Sequence, residues 1–168
     1  PIVNLLLIQM QNPTHPTIIC IATFFKGNEF IRECKRQGVA VVLLTREKLA
    51  TADWAYESLA DFIAIPGKIT DQSYPAAAAR VMRQRKVERI VALEEYDVVT
   101  AAQLREFSSI PGLSTTTARP FQDKLVMRMR GRETGIRQPD FVPLLNHENV
   151  ADFMRRTLPP WMLKPRLG

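Results

Sequence analysis

The stretch Thr17–Arg46, TIICIATFFKGNEFIRECKRQGVAVVLLTR, reads as a strand, a helix and a second strand. Thr17–Phe24 is an apolar run of strand length, and Gly27 follows it. Glu29–Gln37 then places Phe30, Ile31 and Cys34 at helical spacing, with Glu29, Arg32, Glu33, Lys35 and Arg36 on the other face. Gly38 suits the left-handed residue that ends such a helix. Val39–Leu44 is β-branched and apolar throughout, which predicts a buried strand. A helix between two strands is the crossover that parallel pairing requires.

The same alternation extends in both directions. Upstream, Leu5–Ile8 is another apolar run of strand length. Downstream, Phe62–Ile65 is stopped by Pro66–Gly67, a turn signal. Pro75 is placed to open a helix that runs to near Lys86. Arg89–Leu93 is a further strand, followed by Glu94, Glu95 and Asp97 and by an amphipathic helix from Val98 to Phe107. The sum is an α/β fold with a mainly parallel sheet. Such sheets bind ligands outside the carboxyl ends of their strands. Those ends are Phe25–Lys26–Gly27, Thr45–Arg46, Pro66–Gly67 and Glu94–Glu95. Glu94 and Glu95 are candidates for the substrate side, holding a metal-bound phosphate or a substrate amine. The alternative is an acidic first turn that favours the following helix dipole.

Composition bounds the rest. The chain has 168 residues, 46% hydrophobic and 24% charged, which excludes disorder, collagen and coiled coil and allows one domain plus a fraction. No apolar run reaches the 18 residues of a membrane span, and the start carries no positive charge of a secretory signal. Cys20 and Cys34 make neither a disulfide framework nor a zinc site; they read as buried thiols of a reducing, cytoplasmic compartment. His15 and His147 read as loop residues. There is no GxGxxG, no GxxxxGK[ST] and no GxSxG, so a dinucleotide fingerprint, a P-loop and a nucleophile elbow are unsupported.

The charge is uneven. Residues 1–118 hold 13 basic and 12 acidic side chains, whereas residues 119–168 hold 10 and 5 and so carry +5 of the net +6. So basic a segment seeks an anion or an acidic partner, unless it is merely a solvated face. A composition shift starts at Pro111, beyond and including which lie seven of the twelve prolines. Ser114–Thr117 offers helix caps; Arg119 to about Gly131 reads as one helix with Phe121, Leu125 and Met129 on a stripe. Phe141–Leu145 reads as an edge strand because of Pro143, Asn146 or His147 opens a helix that Pro159–Pro160 stops, and Trp161–Lys164 reads as a last strand. These pieces make half of a small α+β unit, so the expected organisation is residues 1–113 as a complete domain and 114–168 as the start of a second.

Three pieces of this segment carry a family resemblance. They are RPFQDKLVMR (Arg119–Arg128), GIRQPDFVPL (Gly135–Leu144) and PPWMLKPRLG (Pro159–Gly168). Their order and spacing resemble the opening of the ATP-grasp fold, the superfamily of biotin carboxylase and carbamoyl phosphate synthetase. The preceding unit, including VALEEYDVVTAAQLREF (Val91–Phe107), resembles the Rossmann-like pre-ATP-grasp domain. The resemblance implies an ATP-dependent ligase that converts a carboxylate into an acyl phosphate for attack by an amine or other nucleophile. It implies ATP and Mg²⁺ as cofactors. Lys124 and Lys164 would be the two nucleotide-contacting lysines, with Arg128 and Arg166 in the same anionic surroundings. The family's glycine-rich loop, adenine hinge, metal-binding acids and Asn would lie past Gly168, so no catalytic or metal residue is expected in this chain. The chain is therefore expected to be an inactive front portion of a parent that continues for roughly another 150 residues. Its partners would be ATP, a small carboxylate, a nucleophile and the rest of the domain, and an exposed apolar face would allow homodimers.

Two other readings are carried. One is a non-catalytic open-sheet module that docks through the basic C-terminal segment. The other is a nucleic-acid binder, which the pI near 9.7 suggests; the aromatics, mostly on apolar faces, disfavour it.

Overall fold

The structure is a computed structural model, and it describes residues 15–68, 70 and 72–167. Among the described residues four strands form the sheet: β1 (Thr17–Ala22), β2 (Ala40–Arg46), β3 (Asp61–Ile65) and β4 (Val87–Ala92). Their order is β3-β2-β1-β4, and all three pairings are parallel. Helix α1 (Asn28–Arg36) crosses from β1 to β2 and α2 (Ser73–Met82) from β3 to β4; two 3-10 turns, Glu47–Leu49 and Tyr56–Ser58, lie between β2 and β3, and α3 (Val98–Phe107) follows β4. The expected strand at Leu5–Ile8 lies outside the described residues.

Alternation along the central strands builds two cores. Ile19, Ile21, Val42 and Leu44 face α2 and α3, where they meet Ala78, Val81 and Leu104. Ile18, Cys20, Val41 and Leu43 face the other way and meet Ile31 and Cys34 of α1 and the ring of Trp54. Both faces of β1 and β2 are therefore covered, which is why these strands read as continuous apolar runs rather than as alternating ones. Gly38, at φ 72°, takes the left-handed turn that lets the chain leave α1 and enter β2. Both thiols are free and buried, and burial pushes the Cys20 thiol far above its ordinary range, with Cys34 adding to the shift.

Three helices follow: α4 (Thr115–Gln122), α5 (Lys124–Glu133) and α6 (His147–Arg156). Ser114 caps α4 by accepting from the Thr117 amide, and Asn146 caps α6 by accepting from the Asn149 amide, at 3.2 and 3.0 Å. The segment is fastened to the sheet domain. The Glu106 carboxylate accepts from the amide and the hydroxyl of Thr115, both at 2.7 Å. Arg105 donates to the carbonyls of Ile90 and Leu113, so one guanidinium spans β4, α3 and the linker.

Two sequence expectations fail in this segment. The helix expected over residues 119–131 is two helices, because Asp123 leaves helical geometry (ψ 99°) and caps the second one. The strands expected at Phe141–Leu145 and Trp161–Lys164 are absent; both stretches are irregular. A strand needs a ladder partner for its amides. Neither stretch pairs with another among the described residues, and Leu145, Met162 and Leu163 stay 85%, 78% and 76% exposed. No described helix is long and apolar enough to cross a membrane.

Candidate functional site: the carboxyl edge of the sheet and the basic segment beside it

At the carboxyl edge, the ends of β1 and β4 are joined by a buried carboxylate. Asp97 is 1% exposed, and its Oδ2 accepts from the Thr23 amide at 2.8 Å. Burial pushes this carboxyl above the ordinary aspartate range, while the Thr23 amide and the Arg46 guanidinium pull the other way. Asp97 is a structural tie that the sequence reading passed over, since nothing in EEYD marks its third acid as the buried one. Arg46, at the end of β2, has a buried Nε, and its guanidinium works against the rise that burial gives the buried Tyr74 hydroxyl.

The substrate-side candidates separate. Glu94 pairs with Lys26 at 3.0 Å, its side chain only 10% exposed, so it links the loops after β4 and β1 across the edge. It does not cap the following turn with its side chain. Glu95 is exposed and lies in that short 3-10 turn. Beside them, Phe24 and Tyr96 stack with ring centroids 5.1 Å apart, and the Lys48 ammonium stands 5.8 Å above the Phe24 ring.

The nucleotide-side candidates gather around the start of α5. Asp123 accepts from the amides of Leu125 and Val126, both at 3.1 Å, and so caps the helix. The same carboxylate grips Arg166, whose Nε lies 2.8 and 2.9 Å from its two oxygens and whose Nη2 lies 2.7 Å from Oδ2. Arg166 holds the Asp123 carboxyl below the usual range. The Lys124 amide donates to the Arg166 carbonyl at 3.0 Å, which seats the Lys164–Arg166 segment against the first turn of α5. Lys124 and Arg166, 42 residues apart in sequence, are thus brought together, and Lys164, two residues before Arg166, is exposed. Arg128 lies further along α5. Its carbonyl accepts from Gln138 at 2.6 Å and its guanidinium faces the Gln138 side-chain oxygen at 3.4 Å, so it fixes the loop after the helix.

Gln122 links the two groups. The last residue of α4 donates its side-chain amide to the carbonyls of Glu95 and Tyr96, at 3.2 and 2.6 Å. Among the described residues no three His, Cys, Asp or Glu side chains group as metal ligands. Asp123, the acid nearest Lys124, is committed to Arg166 and the helix amides, so it does not fit a Mg²⁺ ligand.

No family model matches the sequence, and no curated protein matches it. Solved structures do match the fold. The L-amino acid ligase from Bacillus licheniformis is 18% identical, with a TM-score of 0.71 over 94% of this chain and 39% of its own. N5-carboxyaminoimidazole synthetase from Staphylococcus aureus, solved with ADP, is 15% identical, with a TM-score of 0.71 over 94% and 40%. The biotin carboxylase domain dimer of the Hydrogenobacter thermophilus 2-oxoglutarate carboxylase, solved with MgADP, ADP and bicarbonate, is 17% identical, with a TM-score of 0.60 over 89% and 34%. All are ATP-grasp enzymes. The chain has the α/β fold of their N-terminal part, and it spans about two fifths of the length of the first two.

Proposed function

We propose that these residues are the N-terminal portion of an ATP-dependent ATP-grasp ligase. Residues 1–113 would form the domain that precedes the nucleotide-binding fold, and residues 114–168 its opening part. The observation that carries this reading is that the match covers 94% of the chain, running through both the sheet and the basic segment. The reaction this implies has two steps. A carboxylate oxygen attacks the γ-phosphorus of ATP, the bond to the β-phosphate oxygen breaks, and ADP leaves. An amine or other nucleophile then attacks the acyl carbon, inorganic phosphate departs, and the nucleophile gives up its proton. The phosphoryl step depends on positioning and charge neutralisation rather than on covalent help from the protein.

In this scheme the ammonium groups of Lys124 and Lys164 lie against phosphate oxygens. The Asp123–Arg166 pair keeps the two lysine-bearing segments together, which makes Arg166 a positioning residue. Arg128 serves the same end by fixing the 135–140 loop. Mg²⁺ would neutralise the triphosphate, held by residues other than Asp123. Glu94 and Lys26 face the acceptor side.

The test is ADP release by protein expressed from the reading frame extended past Gly168, supplied with carboxylates and amines in pairs. ADP release that depends on both, and that falls at least tenfold in Lys124→Ala and Lys164→Ala, is expected. No ADP release with any pair overturns the ligase reading and leaves a docking module. The 168-residue chain alone is expected to bind ATP weakly and turn none over. Micromolar binding by calorimetry, lost in Lys164→Ala, overturns that expectation.

A further inference from the structure

Helix α4 is held to the sheet domain along its length. At its first residue both oxygens of the Glu106 carboxylate are engaged, one by the Thr115 hydroxyl and one by the Thr115 amide, and these bonds hold that carboxyl below the ordinary glutamate range. In its middle, Ala118 is fully buried. At its last residue, the Gln122 side chain donates to the carbonyls of Glu95 and Tyr96, beyond β4. Thr115, Ala118 and Gln122 stand at i, i+3 and i+7, so one face of the helix carries all three attachments. The linker before α4 is held as well: Arg105 spans the Ile90 and Leu113 carbonyls, and Ile110 packs against the core.

Beyond Gln122 the pattern changes. Asp123 has ψ 99°, and the helical ladder breaks there: the Lys124 amide donates to the Arg166 carbonyl at 3.0 Å instead of to a carbonyl one turn back. Among the described residues of α5 none is buried. The ties of α5 run to the chain that follows it. Asp123 holds Arg166, the Gln138 side chain donates to the Arg128 carbonyl, and the Ile136 amide donates to the Gly131 carbonyl. A single extended residue between two helices leaves two soft backbone angles, and such residues at element ends are where hinges form.

We propose that Asp123 is a joint: α4, carried by Glu106 and Gln122, moves with the sheet, while α5, the 134–138 loop and the Lys164–Arg166 segment turn together about the Gln122–Asp123 backbone. The composition of the chain changes at residue 113, but its mechanical division falls nine residues later. The two groups of candidate residues then ride on different bodies. Glu94 and Lys26 stay with the sheet; Lys124 and the Lys164–Arg166 segment stay with each other, because the Asp123–Arg166 pair turns with them. A turn at the joint changes the gap between the groups and dismantles neither. The joint belongs to the 168-residue chain and needs neither ATP nor the ligase reading, so either can fail without the other.

The experiment measures residual dipolar couplings of the backbone amides of the 168-residue chain in a weakly aligning medium. Couplings from β1–β4 and α1–α3 define one alignment tensor. Those of α4 are expected to fit it. Those of α5 are expected to miss it and to fit a second tensor, of smaller magnitude, that the Lys164 and Arg166 amides share. Gln122→Ala should speed exchange of the last-turn amides of α4 about fivefold, the scale of one lost hydrogen-bonded group. The double variant Glu106→Ala/Gln122→Ala, cut at both ends of α4, should release α4 from the sheet tensor while the strand resonances stay in place. One tensor that fits the sheet, α4 and α5 alike overturns the joint. Couplings of α4 that follow α5 instead of the sheet place the pivot in the linker and overturn it equally. So does an α4 that still fits the sheet tensor in the double variant, since Glu106 and Gln122 would then not be what carries it.

Discussion

Replacing Asp123 separates two functions that one carboxylate performs. As the cap of α5 it satisfies the amides of Leu125 and Val126; as an anion it holds Arg166. Asn caps a helix about as well as Asp, whereas Ala does not, and losing a cap costs about 1 kcal/mol. Asp123→Ala should therefore loosen α5 by about 1 kcal/mol, which is roughly fivefold faster exchange of its helical amides if they open locally. Asp123→Asn should leave those amides nearly unchanged. Both variants should speed exchange of the Lys124 amide, because its acceptor is the Arg166 carbonyl and the ion pair helps to hold that residue in place. The pair is solvent-accessible on the Arg166 side, so raising salt should mimic Asp123→Asn. The pH dependence follows from the lowered carboxyl of Asp123. The contribution is present above the unfolded value near 3.9 and is lost as the pH falls through the depressed folded value. Hydrogen exchange with residue resolution reads all of this. A Lys124 amide equally protected in wild type and Asp123→Asn would refute the reasoning, since the Lys164 segment would then be held by something else.

Two further outcomes follow from the sheet edge. Gly27→Ala should destabilise by about 2 kcal/mol or more in urea denaturation, because φ is 100° and the new Cβ would meet Leu93 Cδ1 at 2.7 Å; an unchanged midpoint would show that the turn can relax. Asp97→Asn should stabilise increasingly as the pH rises above about 4: the folded carboxyl sits above its unfolded value, so its contribution is complete below that value and is lost as the pH climbs through the folded one. A constant difference between wild type and Asp97→Asn from pH 3 to 8 in thermal melts would count against a raised carboxyl.

The sheet was legible because its signals are local. β1 and β2 are apolar on both faces, α1 has one charged face, and Gly38 marks the exit, so chain order alone predicts parallel pairing. The two missing strands were misread for the opposite reason. FVPLL and WMLK have strand composition, but composition does not supply a partner, and a strand exists only in its ladder. The break at Asp123 was written in the sequence as an Asp followed by a helix start, yet the stripe Phe121, Leu125, Met129 ran across it and hid the cap. Among the candidate residues, Lys124 and Lys164 are named from their place in a motif, not from geometry. Arg166 is named from the same resemblance, and its partner could not be inferred because Asp123 lies 43 residues away. Arg46 reads in the sequence only as the end of a strand; that its Nε is buried beside Tyr74 is a property of packing.

The two basic regions sit at different places along the sheet edge. The Lys124–Arg166 cluster is attached to the sheet through Gln122, which holds the carbonyls of Glu95 and Tyr96 beyond β4. The basic residues Arg46, Lys48 and Lys68 stand at or just past the ends of β2 and β3. Strand order puts β1 between them, and its loop supplies Phe24 and Lys26, the first touching Tyr96 and standing under Lys48, the second pairing with Glu94. The loop after β1 is thus the element that both ends of the edge share. The buried bond from the Thr23 amide to Asp97 fixes where that loop begins. Phe24 and Lys26 are therefore the side chains through which substitutions at either end would be felt at the other, and Gly27, which alone permits the loop's turn into α1, is the backbone position on which that coupling depends.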